Sequence, residues 1–280
     1  MAAEYKEIND DKLQKLHEVE LEILNKIDEI CKKYNLSFQL SGGTLLGAVR
    51  HKGFIPWDDD IDLTMVREDY DKFIQVAPKE LGNEYFLQCY DTDDCYFPFI
   101  KIRKNNTIFN ENLIAHLDCH KGIFVDIFPF ERIDNPHSII LKLRAMMVKN
   151  IWDVILFKKK IHKSRRDMRH PIFDSMLSIL PYNVLKRWQV SLMKGANKKN
   201  GKYLCALCGG YNYTKDIHEY AQMMPTSLVT FEGKEFPTYN NPDHYLTHLY
   251  GINYMELPPL EKRVNHAPKE IIFDTRDNEK

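Results

Sequence analysis

Four aspartates within five residues are the first feature of this sequence that could carry chemistry. They are Asp58, Asp59, Asp60 and Asp62. Asp60 and Asp62 alternate with apolar residues, so in an extended strand both carboxylates would point to one face. Two like charges at this range repel unless a cation lies between them, and oxygen ligands suit a hard ion such as Mg2+ or Mn2+. The spacing therefore predicts a metal site, and the alternative is a solvated acidic turn.

A glycine pair, Gly42 and Gly43, precedes this acidic run and leads into a stretch of helical composition from Thr44 to His51. Glycine amides at a turn that opens a helix are suited to hold phosphate oxygens, because N–H groups and the positive end of the helix dipole meet there. The pair alone is a weak signal. Together with metal-binding carboxylates, it predicts a site for a nucleotide diphosphate.

A third carboxylate, Asp126, lies in the middle of an almost wholly apolar run at 122–130. Burying an unpaired charge costs several kcal/mol. We therefore expect Asp126 to pair with a cation or with the metal inferred at Asp60 and Asp62. The alternative is an aspartate that caps a neighbouring loop.

The composition limits the class of protein. The 280 residues include 39 basic and 40 acidic side chains, so the chain as a whole has no field that would attract nucleic acid. No leader-like segment opens the sequence and no apolar run reaches about 18 residues, which predicts a soluble, cytoplasmic protein. Six scattered cysteines are typical of reduced thiols, and the pair Cys205 and Cys208 lacks two further ligands for zinc.

Helices and strands must position these residues. Apolar residues at helical spacing predict an amphipathic helix between Asp10 and Tyr34. The pattern further predicts helices at 44–51 and 68–76, the second ending at Pro78, and strands at 38–40, 85–90, 99–103 and 122–130. Later elements are one or two helices in 171–200, a hairpin or edge strand at 231–239, and a helix from Tyr245 ended by Gly251. We expect one domain over 1–280, with a catalytic core at about 36–135 and a helical elaboration at about 136–265.

Five motifs occur in the same order as in the LicD family, which this sequence resembles. They are Gly-Thr-Leu-Leu-Gly-x-x-Arg at 43–50, Ile-Pro-Trp-Asp-Asp-Asp-x-Asp at 55–62, Phe-x-Lys-Ile-Arg-Lys at 99–104, Gly-Ile-Phe-Val-Asp-Ile-Phe-Pro at 122–129 and Leu-Pro-Pro-Leu-Glu-Lys-Arg at 257–263. The family includes bacterial phosphocholine transferases and, more distantly, fukutin-type ribitol-phosphate transferases. The resemblance implies an α+β fold with a nucleotidyltransferase-like core, a mixed sheet with flanking helices. Gly42 and Gly43 would form its turn, and Asp60, Asp62 and Asp126 its metal site.

The function that the resemblance implies is transfer of phosphocholine from CDP-choline to a sugar hydroxyl of a cell-surface glycan, such as teichoic acid, lipopolysaccharide or a capsule precursor. CMP would be released, with Mg2+ or Mn2+ as cofactor. Asp126 would act as metal ligand or as general base. Candidate substrate-binding residues are Gly42, Gly43, Thr44, Arg50, Lys101 and Arg103, and for the last three a surface salt bridge is the alternative.

Other reactions remain open from the sequence. The same site could transfer glycerol phosphate or ribitol phosphate from the matching CDP-alcohol, because a metal and its phosphate ligands do not distinguish the alcohol. It could also transfer a nucleotide and release pyrophosphate. A scaffold without turnover is disfavoured by the intact acidic residues Asp60, Asp62 and Asp126.

The segment 139–169 combines Trp152, Phe157 and many aliphatic residues with ten Lys or Arg residues and two acids. Such a composition is typical of a helix that lies on an anionic membrane surface. A core helix with a solvated basic end is the alternative. The expected partners are therefore CDP-choline and a glycan acceptor, lipid-linked or free, with peripheral membrane contact and no nucleic acid.

Overall fold

The computed structural model has an α+β fold, in which helices pack on a mixed β-sheet. It describes residues 8–112, 114–161, 170–209, 213–263, 265 and 268–276. The helices are α1 (Asp10–Tyr34), α2 (Gly42–His51), α3 (Arg67–Glu80), α4 (Ile139–Lys158), α5 (Pro171–Leu177), α6 (Tyr182–Lys194), α7 (Tyr220–Met223) and α8 (Pro242–Tyr250), with a 3-10 turn at Leu260–Lys262. The strands are β1 (Gln39–Leu40), β2 (Asp62–Val66), β3 (Tyr85–Gln88), β4 (Ile100–Lys104), β5 (Ile108–Asn110), β6 (Phe124–Ile133), β7 (Tyr203–Cys205), β8 (Ile217–Glu219), β9 (Ser227–Phe231), β10 (Lys234–Thr238) and β11 (Glu270–Ile272).

The main sheet has the strand order β1-β2-β6-β4-β3, and β7 and β8 extend it from the far end of β6. Strands β2 and β6 are parallel, whereas β4 runs antiparallel to β6. In this register Asp126 has Asp62 as its neighbour on one side and Lys101 on the other. Because register partners project from the same face of a sheet, these three charged side chains form a row across adjacent strands.

The two faces of the sheet differ in character. Leu63, Ile102 and Ile127 are fully buried on one face, within a hydrophobic cluster that includes Ile23 of α1 and Phe73 of α3. Side chains alternate between faces along a strand, so the charged row must project from the opposite face. The apolar face thus anchors the sheet on helices and leaves the other face for a site.

Helix α1 confirms the expected amphipathic helix. The Asn9 side chain accepts a hydrogen bond from the Lys12 amide at 2.9 Å and caps its start. Asn35, in the left-handed conformation with φ 51°, ends it. The strands expected at 38–40, 85–90, 99–103 and 122–130 are also present with shifted ends, as are the hairpin of β9 and β10 and the helix α8 ended by Gly251.

Two local predictions are wrong. Helix α3 does not end at Pro78 but continues to Glu80, because a proline in the last turn removes only one helical hydrogen bond and the Leu81 amide still bonds to the Ala77 carbonyl at 2.9 Å. The strand expected to carry both Asp60 and Asp62 begins only at Asp62. Asp60 therefore lies in the loop before β2.

Helices α4, α5 and α6 pack in two further hydrophobic clusters. Helix α4 buries Val148, Ile151 and Val154 against α5, α6 and the segment before β4, and all six cysteines are free thiols. Within the described residues, no helix combines the length and the apolar character needed to cross a membrane.

Candidate active site

The centre of the site is a buried ion pair between Lys101 and Asp126. The Lys101 ammonium lies 2.8 Å from Oδ1 and 2.9 Å from Oδ2 of Asp126, and both residues are buried. The same ammonium lies 3.5 Å from the centroid of the Phe124 ring, with the Phe97 and Phe99 rings at 5.2 Å and 5.7 Å. The cationic partner expected for Asp126 is therefore Lys101, placed in a cage of three aromatic rings.

More negative charge gathers here than Lys101 neutralises. Loss of hydration, followed by the charges of Asp60, Asp126 and Asp58, raises the pKa of the Asp62 carboxyl well above its usual range. Burial also raises the pKa of Asp126, although the Lys101 ammonium opposes that rise. Carboxylates that resist ionisation because of one another are stabilised by an added cation, so the electrostatics of the site favour cation binding.

The fit to a divalent ion is partial. Among the described residues, no three His, Cys, Asp or Glu side chains already surround a common point as metal ligands would. Asp126 Oδ1 lies at ion-pair distance from Lys101 but is buried and accepts no well-aligned hydrogen bond from the described residues. A buried carboxylate oxygen in this state suits a further ligand, so Asp126 fits as an ion ligand.

The glycine turn brings backbone close to these carboxylates. Gly42 has φ +52°, and a Cβ atom there would lie 3.0 Å from Asp62 Oδ2. A Cβ atom on Gly43 would lie 2.8 Å from Asp58 Oδ2. The Gly42 amide donates to the Tyr245 hydroxyl at 3.2 Å, so one of the two amides expected to hold phosphate already has a partner. The phosphate-binding role of the turn stays a prediction.

Helix α2 fixes the start of β2. The Asp62 amide donates to Thr44 Oγ1 at 2.8 Å, and the Ser41 amide donates to the Asp62 carbonyl at 3.0 Å. Thr44 is buried and its hydroxyl is engaged in this contact. The structure therefore gives Thr44 a positioning role towards Asp62.

Two tyrosines from the end of the chain support the turn from behind. The Ser41 hydroxyl lies 2.8 Å from the Tyr245 hydroxyl and accepts from the Tyr239 hydroxyl at 2.9 Å. The Tyr239 hydroxyl also lies 2.8 Å from Thr64 Oγ1. These four buried hydroxyls, which we call the hydroxyl chain, link the glycine turn and β2 to the C-terminal region. Sequence reasoning missed both tyrosines.

The two arginines predicted to bind phosphate have other partners in the structure. Arg103 is buried and donates to Gln88 Oε1 at 2.5 Å and to the Gly122 carbonyl at 2.6 Å. Arg50 donates from Nη1 to the carbonyls of Tyr254 and Glu256, at 3.1 Å and 3.2 Å. Because Lys101 and Arg103 are buried, the surface salt bridges considered for them do not form.

Helix α1 supplies a residue that the motifs did not identify. Glu20 is 2% exposed, and its Oε2 atom has no hydrogen-bond partner among the described residues. Burial and the charges of Asp60, Asp59 and Asp58 raise the pKa of Glu20 well above its usual range. Its position four residues from Leu16 and from Leu24, both fully buried, puts an acid in the apolar stripe of the helix. That signal is visible in the sequence.

His17 joins the same helix to the aspartate loop. Its Nε2 atom lies 2.8 Å from the Asp58 carbonyl, and its ring stacks on Phe54 with centroids 3.8 Å apart. Helix α1 is therefore fixed directly beside the acidic residues.

A sequence model of a known family, described as "LicD/FKTN/FKRP, nucleotidyltransferase domain", matches residues 35–172. This range contains the glycine turn, the aspartates, Lys101 and Asp126. Residues 35–172 thus carry the LicD-family domain. The resemblance inferred from the five motifs is thus confirmed.

Individual relatives extend this result. The lipopolysaccharide cholinephosphotransferase LicD of Haemophilus influenzae is 29% identical over 254 residues, covering 89% of this chain and 94% of that protein. An uncharacterized protein of Rickettsia typhi is 32% identical over 132 residues, 41% of this chain and 43% of that protein. The human ribitol 5-phosphate transferase FKRP is 46% identical over 46 residues, 16% of this chain and 9% of that protein. The relatives with a named activity are therefore transferases of a phosphorylated alcohol.

Proposed function

We propose that this LicD-family chain is a transferase that moves phosphocholine from CDP-choline to a sugar hydroxyl of a cell-surface glycan and releases CMP. Similarity to the Haemophilus cholinephosphotransferase over nearly the whole of both chains supports the choice of reaction. The observation that carries the proposal is the row of Asp62, Asp126 and Lys101 beside the glycine turn. A negatively charged row of this kind suits a site that binds a diphosphate together with a cation.

In this proposal Asp60 and Asp62 hold Mg2+ or Mn2+, with Asp126 as a third ligand or as the base. When bound, the ion would neutralise the negative charge of the diphosphate and the further negative charge that develops in the transition state. The sugar oxygen attacks the phosphorus of phosphocholine while the bond to the CMP oxygen breaks. The hydroxyl proton passes to Asp126 if that residue acts as the base. Lys101 supports that role because its ammonium favours the ionised carboxylate.

The remaining residues position the reactants. Thr44 and Ser41 fix the backbone of Asp62, and Gly42 and Gly43 leave space in which the carboxylates approach the turn. Lys101 shares its charge between Asp126 and the incoming phosphate. Precise positioning of this kind can account for much of the rate of phosphoryl transfer, because the protein has little covalent chemistry to perform.

Product analysis tests the reaction. The purified chain is incubated with a glycan acceptor, such as lipopolysaccharide or teichoic acid, and with CDP-choline, CDP-glycerol, CDP-ribitol or CTP. Each mixture is tested with and without Mg2+, and CMP and pyrophosphate are measured. We expect CMP from CDP-choline, and no CMP in the presence of a chelator. Pyrophosphate release from CTP without CMP release would instead identify a nucleotidyltransferase.

A second candidate reaction is transfer of ribitol phosphate or glycerol phosphate from the CDP-alcohol. The local match to the ribitol 5-phosphate transferase FKRP favours it. Turnover of CDP-ribitol or CDP-glycerol with CDP-choline inactive would establish this alternative.

We also propose that the start of α4 touches an anionic membrane. Ile139, Ile140 and Leu143 are 76%, 66% and 53% exposed, and the exposed Lys142 lies beside them. The later part of α4 is a core helix, and the basic residues at 162–169 lie outside the described residues. An apolar face flanked by positive charge suits the interface of anionic lipid.

Vesicle co-sedimentation tests this contact. We expect the native chain to sediment with phosphatidylglycerol vesicles at low salt, but not with neutral vesicles. The variant Ile139→Gln/Leu143→Gln should stay in the supernatant. Native protein that stays there too would rule out the contact.

A further inference from the structure

A cleft of about 710 Å3 lies outside the acidic site, between one face of α6 and the segment that follows β3. Its walls include Tyr90 and Asp91 after β3 and the basic residues Lys186, Arg187 and Lys194 of α6. Residues 187 and 194 share a helix face because they lie about two turns apart, and residue 186 lies at the edge of that face. The volume falls in the range of roughly 300–1,000 Å3 that is usual for ligand sites.

Lys186 is the unusual residue of this cleft. It is only 8% exposed, and its ammonium lies 4.9 Å from the ring centroids of both Tyr90 and Tyr182. The structure gives this ammonium no carboxylate partner among the described residues. Aromatic rings compensate a buried cation only in part, so its remaining charge favours an anion in the cleft.

The other basic residues add to this field. Arg187 is exposed, and the Lys194 ammonium lies 3.0 Å from Asp71 Oδ2. Asp71 also accepts from Arg67 at 3.1 Å, so its single charge is shared by two cations. With Asp91 as the one acid in the lining, the cleft is positively charged.

The cleft continues towards the acidic site. A smaller cavity of about 210 Å3 shares Tyr90, Asp91 and Lys194 with it and extends to Phe99. The Phe99 ring centroid lies 5.7 Å from the Lys101 ammonium, which is paired with Asp126. Phe99 therefore lines this cavity and also lies beside the Lys101 ammonium.

We propose that this α6 groove, formed by the two cavities, binds the phosphate-bearing part of an anionic glycan acceptor. The proposal rests on the proposed transferase function and adds the acceptor class to it. Phosphate groups of the acceptor pair with Lys186, Arg187 and Lys194, and the sugar chain runs along α6. The acceptor hydroxyl then lies at the Phe99 end of the groove.

Calorimetry with the full chain tests the groove. The probes are an oligomer of six glycerol units joined by phosphodiesters and the uncharged sugar maltohexaose. We expect the phosphate oligomer to bind, more weakly as salt increases, and maltohexaose to bind at least about tenfold more weakly. Equal binding of the two probes would overturn the proposal.

Charge variants locate the binding. Arg187→Gln/Lys194→Gln should weaken binding of the phosphate oligomer by about tenfold or more. The matched control Lys199→Gln/Lys202→Gln removes the same charge from exposed positions that do not line the groove, and should change binding by less than about twofold. Equal effects of the two double variants would show that only the overall charge matters and would overturn the assignment.

Lys186→Met separates ligand binding from folding. Because it removes a buried charge without a carboxylate partner, we expect the melting temperature to stay or rise while oligomer binding weakens. A lower melting temperature with unchanged binding would overturn the role of Lys186.

CDP-choline affinity is measured on the same samples. A chain that binds the oligomer but not CDP-choline would keep the groove and refute the proposed function, and the reverse result would refute only the groove.

Discussion

Strand β6 carries two buried acids with different partners. Glu131 pairs with Arg67, which donates from two nitrogen atoms to its carboxylate and from a third to Asp71. Asp126, five residues earlier, pairs with the single ammonium of Lys101 and keeps one oxygen without a well-aligned hydrogen bond. The first pair is geometrically complete, and the second is not.

We expect this difference between an ion pair that only stabilises the fold and one that takes part in ligand binding. A guanidinium matches a carboxylate through a rigid fork, so the pair with Glu131 leaves little capacity for a ligand. A lysine ammonium is a compact charge on a flexible stem and can exchange one anion for another. Asp126 also has Asp62 as its strand neighbour, whose charge makes a second cation favourable there.

The largest effect on activity is expected from a substitution of Asp62, the strand neighbour of Asp126. Asp62→Asn should reduce CMP release by at least about 1,000-fold, because it removes the charge that faces a cation. Its melting temperature at pH 7.5 should equal or exceed that of the native chain. Since the folded pKa of Asp62 is raised, its ionised form costs stability at neutral pH, and the gain from asparagine should shrink as the pH falls through that pKa. A near-native rate in saturating Mg2+ would contradict this assignment.

Breaking the structural pair should mainly affect folding. Arg67→Met leaves Glu131 buried without its partner, and should lower the free energy of unfolding by about 3–5 kcal/mol in urea titrations. The double variant Arg67→Met/Glu131→Leu should recover most of that loss.

Lys101→Met should cost less stability, because Asp126 can become protonated, but it should abolish turnover. Equal stability losses for the two single variants, with Lys101→Met still active, would refute the comparison.

His218 on β8 is a buried group for which the described residues provide no opposite charge. It is 1% exposed, and neither ring nitrogen has a hydrogen-bond partner among the described residues. Burial, with His248 and His244 nearby, lowers the pKa of His218 to about 3. The unfolded chain therefore binds a proton near pH 6.5 that the folded chain does not, and stability should fall as the pH drops below 6.5, by up to about 1.4 kcal/mol per pH unit.

The variant His218→Phe measures this contribution. Urea titrations between pH 7 and pH 4 should show a shallower loss of stability for the variant than for the native chain. Parallel curves would mean that His218 is protonated in the folded state at these pH values.

The smallest expected effect concerns the glycine turn. Gly43→Ala places a Cβ atom 2.8 Å from Asp58 Oδ2, the end of a flexible side chain, so the stability loss should stay below about 1 kcal/mol. The displaced carboxylate should weaken CDP-choline binding by about tenfold in calorimetry. The control Gly82→Ala, at φ +61° with no atom within 4 Å, should lose stability through backbone strain without losing affinity. The same change in affinity for both variants would exclude a ligand role for Gly43.

Local patterns were sufficient for much of the fold. The helix from Asp10 to Tyr34, the hairpin of β9 and β10, and the glycine end of α8 follow from apolar spacing and from turn residues that act over a few positions. The position of Asp60 could not be predicted in this way. The neighbouring strand β1 pairs with residues 63 and 64 of β2 and does not reach Asp60. An alternation of polar and apolar residues therefore does not show where a strand begins.

The site was predictable in its residue types and less so in its contacts. The burial of Asp126 required a cation, but only strand register shows that Lys101 supplies it. Glu20 was visible as an acid within an apolar stripe. Tyr239 and Tyr245 gave no local signal, because their contact with Ser41 depends on packing between distant parts of the chain.

The hydroxyl chain has a consequence for how the protein is made. Ser41 leaves the ribosome 198 residues before Tyr239 and 204 residues before Tyr245, so the nascent glycine turn has neither tyrosine behind it for most of that interval. A chain cut at residue 172, where the family match ends, would contain the candidate site residues up to Asp126 and still lack both tyrosines. The candidate site residues and the tyrosines that support their turn are thus about 200 residues apart in the sequence.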